Sequence, residues 1–281
     1  LGGASPLLAQ TALQSKALEA VLTDDEDHDF RVFTCMRYWH PMSDEVAREV
    51  AAWGAEHVVL LPLYPQFSTT TTESSARDWS RAAAKNGLTA TTSVICCYPR
   101  QNDYVAAQAK LLRTQLKQTP QPARVLFSAH GLPVKFVEGG DPYQWQIEQT
   151  ALAIARDAGL GTGDFRVCYQ SRVGRLEWLG PSLDDALAKS AQHGVNVVVL
   201  PISFVSEHSE TLVELDIEYK KIADDLGINH YRRVPTPTDD KEFIDGLASL
   251  ARDAATKNGL CPPRGKRYCP QRFGRCLCKA A

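Results

Sequence analysis

Unbroken apolar runs, short enough for strands and separated by helix-length segments, constrain this chain most. Val58-Val59-Leu60-Leu61-Pro62, Ala123-Arg124-Val125-Leu126-Phe127 and Asn196-Val197-Val198-Val199-Leu200 have the length and β-branching of buried strands. A strand with one wet face alternates; these runs do not. They are therefore expected to be covered on both faces, the condition of parallel sheets with helices above and below. The pattern predicts strands at 29–33, 58–62, around Val94-Ile95, 124–128, 164–169, 196–202 and 230–234. Helices are predicted at 6–22, 43–53, 74–86, 101–117, 142–158, 182–193, 208–226 and 241–257. Ser43 and Glu45 at the start of the second helix and Gly54 after it are good start and stop chemistry.

The two halves echo one another. Asp29-Phe30-Arg31-Val32 recurs as Asp164-Phe165-Arg166-Val167, and Gly54 with Val58 to Pro62 recurs as Gly194 with Val197 to Pro201 at nearly the same offset. The fold class expected is α/β, as two similar Rossmann-like domains with parallel sheets and an active-site cleft between them. The expected division is 1–118 for the first domain, joined by the helix 241–258, then 119–240 for the second, and 259–281 as a Cys-rich basic tail.

Charge and hydropathy narrow the function classes. Lys+Arg number 31 against Asp+Glu 33, a net charge of -2, which gives no nucleic-acid signature. No run approaches the roughly 20 apolar residues of a membrane span, and no signal peptide opens the chain. A cytoplasmic protein is expected, with peripheral membrane contact and a homodimer both left open. The opening in loop-like LGGASPL, at Leu1 and not Met, leads to the expectation that an N-terminal segment precedes it.

Chemistry concentrates at predicted strand ends. After the run ending at Leu200 comes PISFVSEHSETLVELDIEY, with Glu207, His208, Glu210, Glu214 and Glu218. Spacing of four sets Glu210, Glu214 and Glu218 on one helix face, with no Lys or Arg until Lys220. Carboxylates beside an imidazole, beyond the carboxyl end of a strand, suit the handling of a divalent cation. Most acidic faces are simply solvated, and a lone strand-end histidine such as His130 is more often structural. Four strand ends carry polar clusters here: Arg37-Tyr38, His130, Gln170-Ser171 and Glu207 to Glu210. Their convergence on one cleft is the sharper expectation.

FSAHGLP, the YQSRVG…WLGP stretch and SEHSETLVELDIEY together resemble the ferrochelatase family, bacterial type, as do LGGASPL, MRYWHP and LYPQFSTTTTESS. The matches run in order over most of residues 1–260, and the family's early strand and first loop have no counterpart. The resemblance implies insertion of ferrous iron into protoporphyrin IX, the last step of haem synthesis. It implies His130 as the active-site proton acceptor, Glu210 as the carboxylate facing it, and His208 beside Glu210 on the metal side. Glu214 and Glu218 match an acidic path, so that His130, Glu210, Glu214 and Glu218 are the expected metal-handling set. Arg37, Tyr38, Tyr64, Gln170, Ser171 and Trp178 are the expected substrate-binding residues. A porphyrin must lose two pyrrole protons and bend to expose its nitrogens, and an apolar and aromatic wall including Leu132 and Pro133 suits that task. Coproporphyrin as the tetrapyrrole, cobalt as the metal, and porphyrin or metal binding without turnover remain alternatives. A nucleotide or sugar enzyme is a further one, against which stands the lack of a G-x-G-x-x-G after a first strand.

Eight cysteines fall in two sets. Cys35, Cys96, Cys97 and Cys168 sit in apolar, strand-like surroundings and read as buried free thiols. Cys261, Cys269, Cys276 and Cys278 crowd into the basic tail, the right number for a [2Fe–2S] cluster or a zinc site. Some ferrochelatases carry a [2Fe–2S] cluster on such an extension. Thr69 stands where the animal-type pattern has a ligand, so a cluster would need all four tail cysteines or one from elsewhere. A disordered basic tail with free thiols is the alternative.

Overall fold

The computed structural model describes residues 3–278. Its order is α1 (Leu7–Leu22), α2 (Ser43–Trp53), β1 (His57–Leu60), α3 (Thr72–Lys85), β2 (Thr91–Ile95), α4 (Asn102–Lys117) and β3 (Ala123–His130). There follow α5 (Val134–Glu138), α6 (Tyr143–Ala158), β4 (Phe165–Gln170), α7 (Leu183–Gln192) and β5 (Asn196–Pro201). A π-helix (Glu210–Tyr219) runs directly into α8 (Lys220–Asp225), then β6 (Tyr231–Arg233), α9 (Lys241–Ala255) and β7 (Gly259–Cys261).

Two parallel sheets result, one with the order β1-β2-β7 and one with the order β4-β3-β5-β6. Both faces of the larger sheet are covered, as its unbroken apolar strands require. Val125, Phe127, Val198 and Leu200 face a core shared with α4, α6 and α9, while Leu126, Val197 and Val199 face Leu183, Leu187, Leu215 and Ala223. In the smaller sheet Val58 and Leu60 pack under Val46, Val50 and Trp79 of α2 and α3. Helix α9 lies on α1, α4, β1 and β2, at the end of the chain but against the first sheet.

Three expectations need correction. Asp29–Phe33 forms no strand and enters no sheet among the described residues, whereas its echo builds β4 on β3. A strand needs a ladder partner. Here the Val32 N–H donates to the Glu19 carboxylate at 2.7 Å, and a cavity lies between this segment and β1. The same departure leaves Cys35 exposed. The segment 208–226 begins as a π-helix, not an α-helix, which widens each turn at the residues expected to carry chemistry. Finally, Gly259–Cys261, expected as tail, adds a third strand to the first sheet.

Candidate active site

The carboxyl ends of β3, β4 and β5 meet beside the π-helix. His130 is the last residue of β3, and its backbone N–H donates to Ser203 Oγ at 3.0 Å. Its Nδ1 lies 2.7 Å from the Gly131 carbonyl oxygen, an acceptor, so Nδ1 carries the proton and Nε2 presents the lone pair. Gly131 must lack a side chain, because a Cβ there would lie 2.8 Å from the Gln170 carbonyl oxygen. Pro133 and Trp178 pair across the loop that follows, with Val134 N–H donating to the Glu177 carbonyl at 2.9 Å.

His130 Nε2 faces Glu210 Oε2 at 3.3 Å, both side chains about two-fifths exposed. Burial pushes the Glu210 carboxyl above the ordinary glutamate value; a proton on His130 opposes this and Glu214 adds to it. Glu214 is held in place by three donors: Ser171 N–H at 2.7 Å, Ser171 Oγ at 2.6 Å and Gln170 Nε2 at 3.0 Å. Ser171 reaches it from a left-handed backbone, φ 58°, uncommon for a residue with a Cβ. Glu218 is exposed further along the π-helix.

His208 has a different posture. Its Nδ1 accepts the Glu210 N–H at 2.9 Å, leaving Nε2 as the protonated nitrogen. Burial drops its pKa to about 4; Glu207 opposes the shift, and the charges of His130 and Arg233 reinforce it. The ring is therefore neutral near pH 7. Phe204 stands between the two imidazoles, its centroid 4.6 Å from His208 and 6.3 Å from His130.

Arg233 anchors the start of this helix from β6. It meets Glu207 at 2.9 Å and Asp216 at 2.7 Å, with the Arg233 side chain 10% and the Glu207 side chain 15% exposed. Burial pushes the Glu207 carboxyl up, and Arg233 with hydrogen bonds from Thr211 and Thr236 more than offsets it, so its pKa is lowered.

His130, His208 and Glu210 border a cavity of about 1310 Å³ that extends past β1 to Leu18, Leu22 and Leu247 of α1 and α9. Its walls include His130, His208, Glu210, Leu132, Pro133, Trp178, Tyr64, Arg37, Tyr38, Tyr143 and Phe204. Arg37 donates to Ser74 Oγ at 3.1 Å and lies 4.6 Å over the Tyr38 ring. Burial raises the Tyr64 phenol pKa, so it is a neutral wall group.

A second cluster forms beneath this region, where the tail folds back on the end of β2. Cys96, Cys97, Cys269, Cys276 and Cys278 are all buried in one apolar group with Phe67 and Phe273. Cys96 Sγ lies 3.4 Å from both Cys97 Sγ and Cys278 Sγ. Hydrogen bonds from the Cys269 and Cys278 thiols lower the Cys276 pKa, with Arg267 contributing, and the same bonds raise the two donors. Trp145 stacks near Tyr268 and Phe273 over the group, centroids 5.0 and 5.9 Å away. Arg267 donates to the carbonyls of Cys269, Pro270 and Phe273 and so shapes the loop that carries the thiols. Cys261 lies apart, its side chain in the main core.

The ferrochelatase family profile matches residues 1–255. The chain belongs to the ferrochelatase family. It is 46% identical to the ferrochelatase of Phenylobacterium zucineum (strain HLK1) over 282 residues, 99% of this chain and 81% of that one. It is 45% identical to the ferrochelatase of Caulobacter vibrioides over 286 residues, with 99% and 80% covered. Among solved structures, SirB of Bacillus subtilis with Fe3+ superposes with a TM-score of 0.60 at 13% identity, over 87% of this chain and 90% of that one. The cobalt complex of the sirohydrochlorin chelatase SirB gives 0.64 at 12% identity, covering 90% and 91%. At such identities these neighbours show the fold, the two-domain parallel α/β arrangement expected from the strand runs.

Of the residues singled out from sequence, the fold brings His130, His208, Glu210, Arg37, Tyr38, Tyr64 and Trp178 to the cavity wall. Gln170 and Ser171 stand behind it, gripping Glu214. Sequence reading missed Ser203, Phe204 and Tyr143. Ser203 and Phe204 follow β5 directly, so the strand-end rule that flagged His130 would have found them. Tyr143, whose OH donates to the His130 carbonyl at 3.0 Å, had no local signal.

Proposed function

We propose that His130 and Glu210 carry the proton and metal work of this ferrochelatase, with protoporphyrin IX and ferrous iron as substrates. Family membership supplies the activity, porphyrin metallation in haem synthesis. The observation that carries the residue assignment is the facing pair, Nε2 to Oε2 at 3.3 Å, on the wall of a cavity that Tyr64, Leu132, Pro133 and Trp178 also line. His130 takes a pyrrole proton on Nε2, the nitrogen left free by the Nδ1–Gly131 hydrogen bond. Glu210, its pKa raised by burial, exchanges protons closer to neutral pH than an ordinary glutamate and faces the incoming metal.

His208 serves the metal side by holding Glu210, since its Nδ1 is committed to the Glu210 N–H. Glu214 and Glu218 continue the acidic face away from the pair, Glu214 pinned and Glu218 open to solvent. Arg37, Tyr38, Tyr64 and Trp178 form the wall against which the macrocycle lies, and Gln170 with Ser171 fixes the acidic face behind it. Oxygen ligands suit this task because they release a cation readily. We place the protein in the cytoplasm. The exposed Tyr38 and Trp39 at the cavity mouth support contact with a membrane surface, where aromatic side chains favour the interface. Among the described residues no helix is long and apolar enough to cross a membrane. The division near residue 118, with α9 returning to the first sheet, is the domain reading we adopt.

The thiol group fits a [2Fe–2S] cluster in its donor set: Cys269, Cys276 and Cys278 from the tail with Cys96 or Cys97 from the end of β2. Among the described residues no group of three or more His, Cys, Asp or Glu side chains is arranged to hold a metal ion, and Cys96 Sγ packs on Cys97 Sγ and Cys278 Sγ, so ligation requires the thiols to part. A bound cluster would supply a one-electron centre and a tie between the tail and β2. Cys261 has no part in this set.

The test uses Glu210→Gln, which keeps shape and removes the ionisable group. We expect porphyrin binding within a few-fold of wild type and metal insertion slowed by about a hundredfold or more, the scale of a general acid–base contribution. Unchanged insertion would remove Glu210 from the assignment. Iron and acid-labile sulfide in the anaerobically purified protein, lost on Cys276→Ser, check the cluster reading.

A further inference from the structure

We infer that Gln146 is the positioning residue that fastens the thiol group to the wall of the porphyrin cleft, an inference that rests on the [2Fe–2S] reading above. Gln146 sits in the first turn of α6 and is fully buried. Its single amide reaches three separate stretches of chain. Nε2 donates to Cys269 Sγ at 3.1 Å in the tail and to Cys97 Sγ at 3.5 Å after β2. Oε1 accepts the Phe67 N–H at 2.8 Å.

Phe67 is buried and ends the stretch that begins at Tyr64, and both Tyr64 and Gln66 line the cavity. One turn along α6, Thr150 Oγ1 accepts from Gln66 Nε2 at 3.1 Å. At the start of the same helix the Tyr143 OH donates to the His130 carbonyl. The first two turns of α6 thus touch the thiols, the cleft wall and the strand end that carries His130.

A glutamine in this place is costly unless every amide atom is used, and a leucine would fill the space without that cost. Leucine has no N–H for sulfur. Hydrogen bonds to ligand sulfurs favour the more negative, reduced state of a cluster and raise its potential, and partners of this kind hold ligands in place. Gln146 therefore sets the potential of the cluster and transmits its presence to the 64–67 stretch. Loss of the cluster leaves Nε2 bonded to neutral thiols, weaker acceptors than charged ligand sulfur, so the amide and the Phe67 N–H it accepts are held less firmly.

The test uses the holoprotein, purified without oxygen, beside Gln146→Met, which keeps length and removes both hydrogen-bonding atoms, and Gln146→Glu, which keeps an acceptor for Phe67 and removes the donors to sulfur. Redox titration followed by electron paramagnetic resonance reads the cluster; steady-state insertion reads KM and kcat for protoporphyrin. We expect a more negative midpoint in both variants. KM should rise about fivefold in Gln146→Met, the size of one buried hydrogen bond, with kcat within twofold, and stay near wild type in Gln146→Glu. Wild-type midpoint and KM in Gln146→Met overturn the inference.

If neither variant folds, hydrogen exchange on the wild-type protein decides. Peptides covering 64–68 should exchange at least fivefold faster once a chelator has stripped the cluster, and unchanged exchange overturns the inference. A wild-type protein without iron and sulfide instead sinks the cluster reading, and this inference falls with it.

Discussion

Replacing Arg233 by methionine tests how the acidic helix is held. Met keeps the stem of the side chain and removes four contacts, the Glu207 pair at 2.9 Å, two hydrogen bonds to Asp216 at 2.7 and 2.8 Å, and one to the Val234 carbonyl at 3.2 Å. The two partners differ in weight. Asp216 is 36% exposed, and an ion pair at such a surface contributes about 0–1 kcal/mol. Glu207 is 15% exposed and would be left as an uncompensated buried charge, which costs about 3–5 kcal/mol. Hydrogen bonds from Thr211 and Thr236 to the same carboxylate soften the loss. We therefore expect Arg233→Met to lower the unfolding free energy by about 3 kcal/mol, toward the low end of that range. Glu207→Gln in the same chain removes the orphaned charge and should recover about 2 kcal/mol of it. Urea unfolding of wild type, both single variants and the double variant gives the coupling directly. A loss under about 1 kcal/mol in Arg233→Met, or no recovery in the double variant, would refute the reasoning.

Two further outcomes follow from the same region. His208 is near 4 in the folded protein against about 6.5 when unfolded, so the unfolded chain binds the extra proton between those values. Its contribution is complete well above pH 6.5 and is lost as pH falls, about 1 kcal/mol by pH 5.5 and about 2–3 kcal/mol by pH 4.5. In urea unfolding at pH 7 and 4.5, wild type should lose that much more than His208→Asn, and equal losses would contradict the shift. Gly131→Ala places a Cβ 2.8 Å from the Gln170 carbonyl, and backbone cannot yield as a side-chain tip can. Overpacking of this kind costs about 1–3 kcal/mol and displaces His130, so thermal melting and insertion rate should both fall. A variant with wild-type melting and rate would show that the loop is slack.

How much of this was legible in the sequence varies with the range of the interaction. The buried strands were, because Asn196 to Leu200 has no polar alternation and its side chains are indeed enclosed on both faces. Helix α2 was, because Glu45 accepts the Met42 N–H at 2.9 Å and Gly54 takes φ 83° to end it. Asp29–Phe33 had the composition of a strand but no ladder to join, and pairing is a property of neighbours that a single segment does not display. The π-helix carried no local mark, since the contacts that hold it, of Glu207 and Glu214 with β4, β6 and their loops, are distant in sequence. His130 and Glu210 could be named from their strand-end places and family resemblance, but not their 3.3 Å separation. Cys96 and Cys97 read as ordinary core thiols because their partners lie in the tail; the contact between Cys96 and Cys278 spans 182 residues.

The central claim is that His130 removes a pyrrole proton while the rest of the cavity binds the macrocycle. Anaerobic insertion of ferrous iron into protoporphyrin IX, followed by the loss of porphyrin fluorescence, tests it most directly in wild type and His130→Ala. The account predicts that His130→Ala still binds porphyrin, through Trp178, Tyr64 and the apolar wall, and that its fluorescence does not decay on adding iron. Insertion by His130→Ala at the wild-type rate would contradict it.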